Sequence, residues 1–91
     1  VNLAYISDSQ TIVAAWGDST TTLPYYSVFD GFAWQTSKLI PAGTSGGVNE
    51  NVSLSFDPVG QILIAAWTDR NDSNPYFSIL DGANWTTGAL V

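Results

Sequence analysis

The chain contains no cysteine, no histidine and no methionine. Without cysteine there is no disulfide and no thiolate metal site. Without histidine, Ser–His and Cys–His nucleophilic pairs are excluded, and so is a His- or Cys-built zinc site. The missing methionine leads us to expect a processed product or a piece of a longer chain. No basic-then-apolar leader is present, and no apolar run approaches the ~18 residues of a membrane span, so neither a signal peptide nor a span is expected. Cations are scarce: Lys38 and Arg70 stand against seven Asp and Glu50, a net charge of −6. Two cations cannot neutralise a phosphate backbone, which argues against nucleic-acid partners and anionic membrane surfaces. No cofactor is expected. Low Lys and Glu with many Ser, Thr, Asn, Gly and aromatic residues fit a secreted or cell-surface β protein.

What is present is a repeat. Shifted by 51 positions, residues 1–40 fall on residues 52–91 with 15 identities, among them Gln10, Ala14, Ala15, Trp16, Asp18, Pro24, Tyr25, Ser27, Asp30, Gly31 and Trp34. Other positions exchange like for like, as in Tyr5/Phe56, Tyr26/Phe77, Val28/Ile79 and Ile40/Val91. A period near 50 residues marks an architecture in which each unit buries its faces on its neighbours. The 91 residues are at most one domain in length.

Each repeat holds four expected strands. In the second, 51–56 alternates apolar Val52, Leu54 and Phe56 with serines. Asp57-Pro58-Val59-Gly60 reads as a tight turn, with Gly60 available for positive φ. Residues 61–68 form a nearly unbroken apolar run, as in a strand buried on both faces. Residues 69–74 are a polar loop, 75–80 a third strand, Asp81-Gly82 a hairpin turn and 83–91 a fourth strand. The first repeat reads 1–6, 11–16, 24–29, the Asp30-Gly31 turn, then 32–40. Residues 41–50, rich in Gly, Ser and Thr, are an expected connecting loop. A two-residue Asp30-Gly31 turn puts Phe29 opposite Phe32 and Ser27 opposite Trp34, and likewise Ser78 opposite Trp85. Tyr25, Phe29, Phe32 and Trp34 then share one face, and Tyr26, Val28 and Ala33 the other, so both faces need cover.

The expected fold class is therefore all-β, with two four-stranded antiparallel β-propeller blades at 1–40 and 52–91 and a linker at 41–51. Two blades alone would expose two apolar faces. The physical resolution is a head-to-tail homo-oligomeric ring, expected as a trimer of six blades. The rival is excision from a longer propeller.

Two resemblances follow from the hairpins. Ser27-Val-Phe-Asp30-Gly31-Phe-Ala-Trp34 and Ser78-Ile-Leu-Asp81-Gly82-Ala-Asn-Trp85 resemble the Asp boxes of sialidase-type propellers, with Asp one place late; such boxes are structural. The single Arg lacks the arginine cluster that sialidase chemistry requires. Asp81-Gly82-Ala-Asn-Trp85-Thr-Thr-Gly88-Ala-Leu90 and the two-blade plan resemble the small fucose-binding propeller lectins, whose bacterial members trimerise into six-bladed rings. That family holds fucose with an Arg, a Glu and a Trp. Here the Arg-bearing strand reads Ile-Leu-Ile-Ala-Ala-Trp67, and the Glu place is Tyr76 or Phe77, so fucose specificity does not transfer.

The chemistry left open is modest. Asp18, Asp57 and Asp69 could form a glycosidase carboxylate pair only by meeting across a ring, whereas Asp in turns ordinarily serves the backbone. Asp69-Arg-Asn71-Asp-Ser73-Asn74 begins with calcium-loop spacing but has Asn74 for the Gly and Leu80 for the Glu, so no metal is expected. Sequons at Asn51, Asn71 and Asn84 are expected by chance. Trp16 and Trp67 each end the buried second strand, two residues before Asp18 and Asp69. An indole beside a carboxylate and a polar loop can stack on a sugar and accept from its hydroxyls; packing between blades explains the same residues. The expected function is non-enzymatic: a lectin-like module binding neutral glycans at Trp16, Asp18, Trp67 and Asp69. The alternative is a structural or protein-interaction propeller unit with no small ligand.

Overall fold

The computed structural model describes residues 1–43, 45–49, 51–82 and 84–91. Thr44 and Glu50 of the expected linker, and Ala83 at the start of the expected last strand, lie outside the described residues. The fold is all-β, with two antiparallel sheets. The first contains β1 (Asn2–Ile6), β2 (Thr11–Gly17), β3 (Pro24–Phe29) and β4 (Lys38–Leu39), in that spatial order. The second contains β5 (Ser53–Asp57), β6 (Ile62–Thr68) and β7 (Pro75–Asp81); both β8 (Asn84–Trp85) and β9 (Ala89–Leu90) pair with β7.

Alternation along each strand divides the side chains between two faces. Ala4, Ile6, Val13, Ala15, Tyr26, Val28 and Ile40 of the first sheet pack against Leu54, Phe56, Leu63, Ala65, Trp67, Tyr76, Leu80 and Trp85 of the second. This junction is the core: Val13, Ala15 and Ala65 are fully buried, Ile40 and Leu63 nearly so. The first strands of the two sheets, β1 and β5, lie against each other. Beside them the Asn2 side-chain amide donates to the Val52 carbonyl at 2.6 Å.

Three local expectations change. Phe29, not Ser27, lies opposite Trp34, and Leu80 lies opposite Trp85. The slip of two positions keeps each tryptophan on its expected face, because strand side chains alternate with period two. The fourth strand is broken in both sheets. Phe29 pairs with Trp34 but Tyr26 with Lys38; Leu80 pairs with Trp85 but Phe77 with Ala89. Three steps on β3 or β7 thus match four on the outer strand, which is a one-residue bulge. Ser27 donates its hydroxyl to the Gln35 carbonyl at 2.6 Å, and Ser78 does the same to Thr86. The repeated serine therefore satisfies a carbonyl that the bulge takes out of the ladder.

The first hairpin of each sheet turns at a glutamine. Gln10 and Gln61 take φ of 55° and 56°, while Gly60 does not have positive φ. Thr22 and Ser73 form a second such pair, at 63° and 61°. The left-handed positions recur at the 51-residue period even where the residue types differ.

Candidate functional site

The loop after the second strand has the same backbone in both repeats. Asp18 N–H donates to the Leu23 carbonyl and Thr22 N–H to the Asp18 carbonyl, at 3.0 and 2.8 Å. Asp69 and Asn74, then Ser73 and Asp69, repeat this at 2.8 and 3.1 Å. Each aspartate also caps its loop through Oδ2. That atom of Asp18 accepts from the Thr20 and Thr21 amides and the Thr21 hydroxyl; that of Asp69 accepts from the Asn71 and Asp72 amides at 3.0 Å each. The indoles match as well. Trp16 stacks on Tyr25 at 6.4 Å and 14°, and Trp67 on Tyr76 at 6.5 Å and 15°.

The two places differ in their cover. The chain leaving the first sheet runs over Trp67 and Asp69. Ser45 Oγ donates to Asp69 Oδ1 at 2.6 Å and accepts from Trp67 Nε1 at 3.0 Å; the Gly46 amide donates to the same Oδ1 at 2.5 Å. The strap is tied on both sides. Val48 N–H reaches the Thr22 carbonyl at 2.6 Å, Arg70 N–H the Gly47 carbonyl at 3.0 Å and Asn49 N–H the Thr68 carbonyl at 3.0 Å. Gly47, with φ of 119°, lies so close to Thr22 that a Cβ would stand 2.8 Å from its carbonyl oxygen. Trp67 is therefore 3% exposed and Asp69 2% exposed. No ring face of Trp67 is presented to solvent, and both Asp69 oxygens already accept hydrogen bonds.

Trp16 and Asp18 carry no such strap. Both are half-buried. Trp16 and Trp34 wall a hollow of about 370 Å³ completed by Ala14, Ser27, Gln35 and Ser37. Of the corresponding residues of the second sheet, all but exposed Thr86 are covered: Tyr26 meets Trp85 edge-on at 5.2 Å, Ile40 joins the Trp67 cluster, and Gly88 N–H donates to the Pro41 carbonyl at 2.7 Å. The four expected site residues thus form two separate places, one closed and one open. The open place also contains Trp34, Gln35 and Ser37. The one-residue bulge that brings Gln35 there carries no signal in the sequence.

The electrostatics follow the same division. The Ser45 hydroxyl, then the Asp72 amide, hold the Asp69 carboxyl far below the usual carboxylate range despite its burial. The Thr21 amide and hydroxyl lower that of Asp18. Among the described residues, every group hydrogen-bonded to the Asp69 carboxylate is a donor. Among the described residues no cluster of three or more acidic side chains could hold a metal ion. Asp57 and Asp69 flank opposite ends of β6, a strand of 7 residues, about 20 Å apart by strand rise, so within one chain they form no catalytic carboxylate pair. No helix among the described residues is long and apolar enough to cross a membrane. Compared with family models, curated proteins and solved structures, the chain finds no match.

Proposed function

We propose that the two sheets are blades of a β-propeller, and that the chain is a non-enzymatic structural or protein-interaction unit that works by stacking blade on blade. The observation carrying this reading is the strap at Trp67 and Asp69. The repeated Trp-x-Asp closes a blade junction where the adjoining chain is present, and stands open where it is not. An indole donating to Ser45 and a carboxylate holding Ser45 and Gly46 are parts of a fastener. A sugar stacking there would have to displace those bonds.

A second reading rests on the open hollow. Two indoles flanked by Ser27, Gln35 and Ser37, with Asp18 nearby, present an apolar wall and hydrogen-bonding groups, as a neutral glycan requires. A glycan array followed by calorimetric titration of neutral sugars separates the two. The structural reading expects no heat at millimolar sugar. Saturable binding that disappears in Trp16→Ala, with the fold intact, would replace it with the lectin reading.

A further inference from the structure

The junction inside the chain is a template for a second one. The residues with which the second sheet meets the first have counterparts 51 positions earlier on the outer face of the first sheet. Leu54, Phe56, Trp67, Tyr76 and Trp85 correspond to Leu3, Tyr5, Trp16, Tyr25 and Trp34. That face is uncovered, with Leu3 62%, Tyr5 56% and Trp34 50% exposed. The residues with which the first sheet makes the junction correspond in turn to the outer face of the second. Val13, Ala15, Tyr26 and Val28 become Ile64, Ala66, Phe77 and Ile79, conservative exchanges throughout. One molecule therefore carries both halves of an interface that it has already built once.

The exceptions to this conservation are informative. Ile6 becomes Asp57, and Phe56 becomes Tyr5 when traced back. In the internal junction Ile6 and Phe56 line the same hollow and belong to the same apolar cluster. In a copied junction their places are taken by Asp57 of one molecule and Tyr5 of the next. An apolar pair has been replaced on both sides, by a carboxylate and a phenol that can donate to it. The Val59 amide holds Asp57 Oδ1 at 3.0 Å, which aims the carboxylate and leaves Oδ2 to accept. A buried aspartate without such a donor would oppose docking.

We infer that the outer face of the first sheet docks the outer face of the second sheet of another copy of this chain, head to tail, with Tyr5 of one copy donating to Asp57 of the next. This rests on the blade reading above and adds the partner. Phe77 of the arriving copy then occupies the Trp16–Trp34 hollow, as Tyr26 lies against Trp85 within the chain. The interface is heterologous, so it propagates until rotation closes a ring.

Sedimentation velocity and native mass measurement at about 1–100 μM, where association of micromolar Kd is populated, test this on the full chain. The expected species are multiples of 9.7 kDa. Leu3→Asp blocks one face and Ile79→Asp the other, each verified as folded by its strand circular dichroism. Each alone should be monomeric, and their mixture should give a 1:1 dimer and nothing larger. If either variant alone still dimerises, the contact is isologous and the inference is wrong. Tyr5→Phe removes one exposed hydroxyl; Asp57→Ile also removes the bond to the Val59 amide, so its fold is verified by strand circular dichroism as for the other variants. Tyr5→Phe should weaken association about tenfold, the scale of a hydrogen bond to a charged group. The double variant, which recreates the Phe56–Ile6 pairing, should restore it. A wild-type monomer at about 100 μM, or a double variant no tighter than Tyr5→Phe, overturns the proposal. Sugar titration is a separate experiment: Trp16-dependent binding would overturn the structural reading whatever the mass shows.

Discussion

Asp69 and Asp18 are the same residue in the same loop, yet they do different work. Asp69 fastens a strap between sheets, while Asp18 caps only its own loop. Both carboxyls are lowered from 3.8 in the folded state. A depressed folded value means the stabilisation is complete above the unfolded value and is lost as pH falls through the folded one. Urea midpoints should therefore be flat near neutrality and fall below about pH 4. Asp69→Asn should lower the neutral midpoint more than Asp18→Asn, and its curve should approach wild type in strong acid. Equal effects of the two substitutions would mean that the strap contributes nothing. Gln61 tests backbone strain at the same scale. Relief of its left-handed conformation is worth about 1–2 kcal/mol, less about 0.5–1 kcal/mol of added freedom in the unfolded chain. Gln61→Gly should thus stabilise by about 0.5–1 kcal/mol in chemical denaturation; a loss would show that the glutamine side chain does more than tolerate the turn.

The strands were legible from alternation and turn chemistry: 24–29 and 75–80 fall within a residue of β3 and β7. The outer strand was not, because a bulge is a registry event between strands and leaves no periodic mark. Ser27 and Ser78 stood out only as repeated small residues, and their bond to the carbonyl beyond the tryptophan becomes visible once the bulge is seen. The site was half legible. Trp16, Asp18, Trp67 and Asp69 could be picked out by their recurrence, but not their cover, since Ser45 and Gly46 lie in the unrepeated linker. Gly47 is where this linker can be probed. Gly47→Ala meets both a φ of 119° and the Thr22 backbone, and should cost about 2–3 kcal/mol. Gly31→Ala, at φ of 103° but with nothing within 4 Å, should cost about 1–2 kcal/mol. If the two losses are equal, the close approach of strap and loop carries no energy.

Across the whole molecule the two repeats are alike in sequence and unlike in environment. Trp85 is packed under Tyr26 in the junction, with its Nε1 buried and unpaired among the described residues. Trp34 is half exposed and touches Phe29 at 5.3 Å. Equal losses for the two tryptophans would follow from the repeat alone. The structure instead expects Trp85→Ala to cost about 3–5 kcal/mol and Trp34→Ala about 1 kcal/mol in the monomer, for lack of burial. Denaturation at low protein concentration measures both. If Trp34→Ala becomes as damaging at high concentration, the second junction has formed.

The strap makes the molecule its own control for motion. Amide hydrogens exchange with solvent only when their bonds open, and opening is governed by local rather than global stability wherever a segment can move by itself. The Asn71 and Asp72 amides bond to a carboxylate that is pinned from the far side by Ser45 and Gly46. The twin amides of Thr20 and Thr21 bond to one that is not. The first pair should exchange only when the sheets part, and the second whenever the loop breathes. Deuterium uptake across one 91-residue chain would therefore report two clocks from two copies of one loop. When a partner settles on the open face, the faster clock should slow toward the other.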